Sequence, residues 1–164
     1  EAYVLFQGMA SGHPSLGTMH ANSVDTMLRR LETPPINLSS SLVEILDVVV
    51  VMTQTKIKGK EVRRVTEIDE IISVKEGQGA QIHIPFSWNP VTDGFTFNNQ
   101  SYVFNKFFLH QGISQAELFK ELEIRTKLLI NLFKYGVFDF LEFRNIINEY
   151  YKDPMAILKR FNVR

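Results

Sequence analysis

Val48 to Met52 is an unbroken run of four valines and a methionine, and it constrains the fold more tightly than any other stretch of the chain. A β-branched run without polar alternation is the pattern of a strand buried on both faces, the kind found where helices cover a parallel sheet. The run continues polar through Thr53-Gln54-Thr55-Lys56-Ile57 to a Lys58-Gly59-Lys60 turn, after which Glu61 to Val74 is expected to pair back as a hairpin. Upstream, Ala2, Leu5, Phe6 and Met9 recur at helical spacing and Gly12 stops that helix. Leu16 to Ala21 reads as a short strand. Ser23 can cap a helix over Val24 to Leu31, which Pro34-Pro35 ends, and Ser39 or Ser40 starts another to Leu46. This alternation of strands and helices predicts an α/β fold.

At Lys75-Glu76-Gly77-Gln78-Gly79 the composition shifts, which marks a linker and divides the chain into 1–76 and 77–164. Beyond it, Gln81 to Trp88 alternates as a strand and runs into the turn cluster Asn89-Pro90-Val91-Thr92-Asp93-Gly94. Phe95 to Phe97 and Tyr102 to Phe104 read as short strands around Asn98-Asn99-Gln100. Helices then take over. Ser114-Gln115-Ala116-Glu117 is a capping box for a helix to about Tyr135, with Leu118, Leu122, Leu129 and Phe133 at core spacing and Gly136 as its stop. Asp139 to Tyr151 and Pro154 to Phe161 make two more helices. The second part is thus a small β-hairpin with a helical appendage.

Composition narrows the function classes. At 164 residues, with 45% hydrophobic and 12% aromatic residues, the chain can bury a core. Eighteen basic residues balance eighteen acidic ones, so no net field draws it to nucleic acid, which is disfavoured as a partner. With no cysteine there is neither a disulfide nor a thiolate metal site. No apolar run reaches the length of a membrane-spanning helix.

Two histidines seven residues apart stand out in Ser11-Gly12-His13-Pro14-Ser15-Leu16-Gly17-Thr18-Met19-His20-Ala21-Asn22. This stretch resembles the histidine box of the secretion ATPases, the GspE/PilT/FlaI family of type II and type IV secretion, pili and the archaeal flagellum. Arg30 follows His20 by ten residues, where that family carries an arginine, and Leu38-Ser39-Ser40-Ser41-Leu42 is similar to the start of its next helix. Trp88, Pro90, Asp93 and Phe95, then Tyr150, Tyr151, Asp153 and Pro154, match the tail of archaeal members. The resemblance implies that 1–76 is the C-terminal half of a RecA-like P-loop ATPase core and 77–164 its appendage. No Gly-x-x-x-x-Gly-Lys-[Ser/Thr] loop occurs, and Gly59-Lys60 is followed by glutamate. Since the chain opens on Glu1 in mid-pattern, we expect a C-terminal fragment that is inactive alone.

Hydrolysis of a terminal phosphoryl group rests on positioning and charge stabilisation, and a histidine on a strand edge can donate a hydrogen bond to the γ-phosphate. The resemblance implies His20 in this role. His13 opens the loop into that strand and is open to a role across a subunit interface; both histidines can equally be ordinary polar loop residues. A zinc site recruiting His13, His20, His83 and His110 is disfavoured, because no pair has the spacing of a zinc motif. By resemblance Arg30 supports a subunit interface, and Glu1 corresponds to an acid that orients an upstream arginine. Arg29, Arg63 and Arg64 read as surface ion-pair partners of Glu32, Glu61 or Glu67. The aromatic residues from Phe86 to Phe108 are either a binding face or the core of the appendage, and burial explains them first.

For the whole protein the resemblance implies an ATPase using ATP and Mg2+, a homo-hexamer acting on an integral membrane platform protein. It would be cytoplasmic and peripheral to the membrane. No nucleotide is expected on the chain alone. The competing reading, of another class, is a non-enzymatic interaction module.

Overall fold

A computed structural model describes residues 1–75 and 78–163. By its contacts the chain separates into two compact units, Glu1–Lys106 and Phe107–Arg164. The expected linker falls partly on Glu76 and Gly77, which lie outside the described residues, as does the boundary placed there.

The first unit is built on a four-stranded sheet. Strand β1 (Val48–Ile57) turns back into β2 (Lys60–Lys75) through Lys58 and Gly59, whose φ angles of 49° and 78° give the type I′ geometry that matches strand twist. β3 (Gly79–Asn89) pairs with β2, and β4 (Gly94–Phe97) with β3. All three pairings are antiparallel, and the order is β1-β2-β3-β4. The α/β expectation of half a RecA-like parallel core is therefore overturned: strands adjacent in sequence are adjacent in the sheet, with no crossover. The reason lies in the valine run itself. β1 is an edge strand; Val49 and Val51 pack on the core, whereas Val50 is 52% exposed. β-branched side chains favour a pleated surface whether one face is covered or two.

Three helices cover one face of this sheet. α1 (Ala2–Ala10), α2 (Val24–Glu32) and the short α3 (Ser40–Val43) supply Phe6, Val24, Leu28, Leu31 and Val43 to a core shared with Ile71 and Val74 of β2. Ser23 caps α2 as expected, its hydroxyl accepting from the Thr26 amide at 3.1 Å. The strand expected at Leu16 to Ala21 does not form. Residues 13–22 are irregular, and no backbone-to-backbone hydrogen bond is made by residues 14–22 among those described. Gly17 lies against α1, where a side chain would come within 3.2 Å of Leu5.

α4 (Tyr102–Gln111) forms where a strand was expected at Tyr102 to Phe104, and its first turn, within the first unit, lies on the opposite face of the sheet. Its start is held by Glu70 of β2, described below. Phe86 and Phe97 stack across β3 and β4 at 4.5 Å between ring centroids, and Phe97 meets Phe104 at 6.2 Å. β3 carries one extra residue opposite Asp69, because Ile68 pairs with Phe86 while Glu70 pairs with His83. The buried Pro85 sits in this bulge, where a residue without an N–H does not interrupt the ladder.

The second unit is helical: α5 (Gln115–Lys134), α6 (Phe140–Lys152) and α7 (Pro154–Arg160). The capping box at Ser114 and Glu117 forms, and Gly136 ends the turn after α5 with φ 75°. Its core is Leu128, Leu132, Ile146, Tyr150, Ile157 and Phe161. The face of α5 differs from the expected one, since Leu129 and Phe133 are 50% and 70% exposed. α5 carries apolar residues nearly all round its last two turns, so spacing alone does not select the buried face.

Candidate functional site

His13 follows the left-handed Gly12, and its position is set locally. Its amide donates to the Gly8 carbonyl at 3.1 Å, and its Nδ1 lies 3.1 Å from the Ser11 hydroxyl. His20 sits on the irregular segment with an exposed ring that has no hydrogen-bond partner among the described residues. What the fold holds is its main chain: Nη1 of Arg30, on α2, donates to the His20 carbonyl. Arg30 and His20 are thus brought together, through backbone and not through the ring. Glu1 stands at the N-cap of α1 without a capping side-chain bond and makes none of the described bonds to His13, His20 or Arg30. No group of three or more His, Cys, Asp or Glu side chains among the described residues could hold a metal ion.

A cleft of about 690 Å³ opens beside α2 and α3, lined among others by Asp25, Arg29, Glu32, Ser39 and Ser40. Its charges are already spoken for. Arg29 pairs with Asp25 at 3.1 Å, and Ser40 donates to Glu32 at 2.6 Å. The cleft therefore offers no free guanidinium to a phosphate.

The tail residues singled out by resemblance have definite structural tasks. Asp93, in the turn between β3 and β4, accepts two bonds from Arg64 of β2, at 2.8 and 2.9 Å, and one from the Trp88 indole at 2.9 Å. Fork-on-carboxylate geometry of this kind is directional as well as charged, so it fixes the turn against the sheet. Arg64 is thus an ion-pair residue, with Asp93 as its partner in place of the expected glutamates. The Arg64 and Trp88 hydrogen bonds hold the Asp93 carboxyl down at about 2. Its folded pKa lies below its unfolded value, so the stability it contributes is present above about pH 4 and is lost as pH falls towards 2. Asp93→Asn tolerates the same positive φ while removing the charge. It is expected to lower the unfolding midpoint at neutral pH and to abolish this acid-sensitive part, as followed by Trp88 fluorescence.

In the second unit Tyr150 is buried and donates to Glu121 at 3.0 Å, which in turn accepts from Arg125 at 2.7 Å. Asp153 caps α7 by accepting from Ala156 at 3.1 Å, with Pro154 opening that helix. Sequence reasoning missed Glu70, which organises the second face of the sheet. Only 3% exposed, it accepts from the Ser101 hydroxyl, from the Tyr102 amide at 2.8 Å and from the Val103 amide at 3.3 Å. Nothing local marks a strand glutamate as the cap of a helix 31 residues later. Asp69 beside it was missed as well.

Residues 91–164 match the family model described as PilB3-like, C-terminal, which relates this tail to that C-terminal family. Relatives are found in Methanocaldococcus jannaschii. The uncharacterized protein MJ1287 is 36% identical over 92% of this chain and 56% of its own length. The uncharacterized protein MJ0900 is 33% identical over 93% of this chain and 28% of its own length. The chain therefore spans about half the length of the first relative and less of the second. No helix among the described residues is long and apolar enough to cross a membrane.

Proposed function

We propose that this chain is part of a longer motor ATPase that couples ATP hydrolysis to protein secretion or to assembly of a pilus or archaeal flagellum. The observation that carries this reading is the match of residues 91–164 to the PilB3-like C-terminal family. The longer relatives fit a chain that works with further domains. In this reading ATP and Mg2+ are held elsewhere in the whole protein, because the antiparallel first unit is not a RecA-like parallel core and the sequence has no phosphate loop. The assembly is a homo-hexamer at the cytoplasmic face of the membrane, acting on an integral membrane platform protein. His20 contacts the γ-phosphate, His13 lies at a subunit boundary, and Arg30 and Glu1 support the interface. The exposed His20 ring, on a segment tethered by Arg30, leaves it free for such a contact.

Two measurements test the reading. In the longer protein, His20→Ala is expected to lower ATP turnover about 100-fold with little change in nucleotide affinity, as for a contact made mainly in the transition state. Unchanged turnover would make His20 an ordinary loop residue, whereas a longer protein without ATP turnover would favour the non-enzymatic interaction module. Calorimetry of Mg-ATP against the present chain is expected to show no binding, and micromolar affinity would contradict the proposal.

A further inference from the structure

Asp69 is fully buried, and neither of its carboxylate oxygens meets a hydrogen-bond donor among the described residues. It lies on β2 directly opposite Val49, so it shares that residue's face of the sheet, the one covered by α1 to α3. An ionised carboxylate in such a place forfeits its hydration and gains nothing in return, whereas the neutral acid costs far less to bury.

The charged groups on the elements around Asp69 do not relieve it. On α2, Arg29 pairs with Asp25, Arg30 binds the His20 carbonyl, and Glu32 accepts from Ser40. Glu44, which closes α3, accepts from the Val74 amide. Glu1 at the start of α1 is exposed. Just before β1, Asp47 pairs with Lys106, and Lys56 lies at the far end of the strand. On β3, His83 is opposite Glu70, hence on the other face, and bonds to Gln100. On β2 itself, Arg64 is held by Asp93, Arg63 lies with it towards the β1 turn, and Lys75 is exposed at the strand's end. The group that does act on Asp69 is Glu67, of like sign.

We propose that Asp69 is a proton-dependent lock between the helical layer and the sheet: the native first unit holds it as a neutral carboxylic acid, and its ionisation loosens that packing. Burial, followed by the charge of Glu67, pushes its carboxyl from the usual 3.8 up to about 6. A folded pKa above the unfolded one gives stability that is complete below about pH 4 and is lost as pH rises through about 6. The direction is opposite to that of Asp93. Two units of displacement correspond to about a 100-fold change in the folding equilibrium constant.

The test compares the chain with its Asp69→Asn variant, which keeps the side-chain shape and removes the titration. Trp88, the single tryptophan, reports on the first unit. Between about pH 4 and pH 7, the folding constant of the original chain should fall about 100-fold relative to that of the variant. Parallel pH profiles would overturn the proposal. If the variant does not fold, carbon NMR of labelled aspartate in the original chain decides. One carboxyl titrating near pH 6 supports the lock, and all aspartates titrating in their ordinary acidic range refutes it.

Discussion

Replacing Glu70 by alanine is expected to destabilise the first unit by about 3–4 kcal/mol, the scale for deleting one partner of a buried, charge-assisted network. The carboxylate serves three donors at once, the Ser101 hydroxyl and the Tyr102 and Val103 amides. The two amides belong to the first turn of α4, where no carbonyl of the helix itself can reach them. Ser101 meets part of this need, since its hydroxyl accepts from the Phe104 amide at 3.0 Å, but its own orientation depends on Glu70. Without the carboxylate, α4 should fray from its first turn and uncover Phe86 and Phe97. Glu70→Gln keeps one accepting oxygen and should recover about half of the loss. Denaturant unfolding followed by Trp88 fluorescence measures both. An alanine variant within about 1 kcal/mol of the original chain would show that α4 is held chiefly by its aromatic contacts.

In the second unit the largest expected effect is that of Leu132→Ala, about 3–4 kcal/mol. Leu132 is 1% exposed and belongs to a core of six buried residues from α5, α6, α7 and the turn after it. Removing three carbons from a helix interface leaves a cavity that neighbouring helices close only in part. Phe133→Ala, on the exposed flank of the same helix, should cost under about 1 kcal/mol. That contrast separates the observed packing from the expected one, which put Phe133 inward. The readout is the helical circular dichroism transition, together with Trp88 fluorescence from the other unit. Because the two units are compact by themselves, Leu132→Ala should move the first signal and leave the Trp88 transition in place. Equal losses for Leu132 and Phe133 would contradict this packing.

Much of the local structure is legible in the sequence because its causes are local. The left-handed Lys58-Gly59 turn, the Ser23 cap, the Ser114 and Glu117 box and the Gly136 stop each involve residues within a few positions of one another. The candidate histidines are legible as a motif, but the contact of the Arg30 guanidinium with the His20 main chain is not. Asp69 and Glu70 show why the rest stays hidden. They are neighbours in sequence with near-identical chemistry, yet they point to opposite faces of one strand, and one is satisfied by a helix start while the other has no donor.

What the sequence determined by itself is therefore where most of the elements lie, and two of the exceptions share a cause. Leu16 to Ala21 has the composition of a strand but no partner for its backbone, and a strand exists only when another chain segment accepts its hydrogen bonds. Tyr102 to Phe104 has aromatic and β-branched residues suited to a strand, but Glu70 and Ser101 meet the amides of a helical turn there. Tertiary structure alone decided that the Val48 to Met52 strand lies at an antiparallel edge and which side of α5 faces inward. Hydrophobic side chains state that a surface is to be buried; only the segments that arrive to cover it determine which surface, and from which direction.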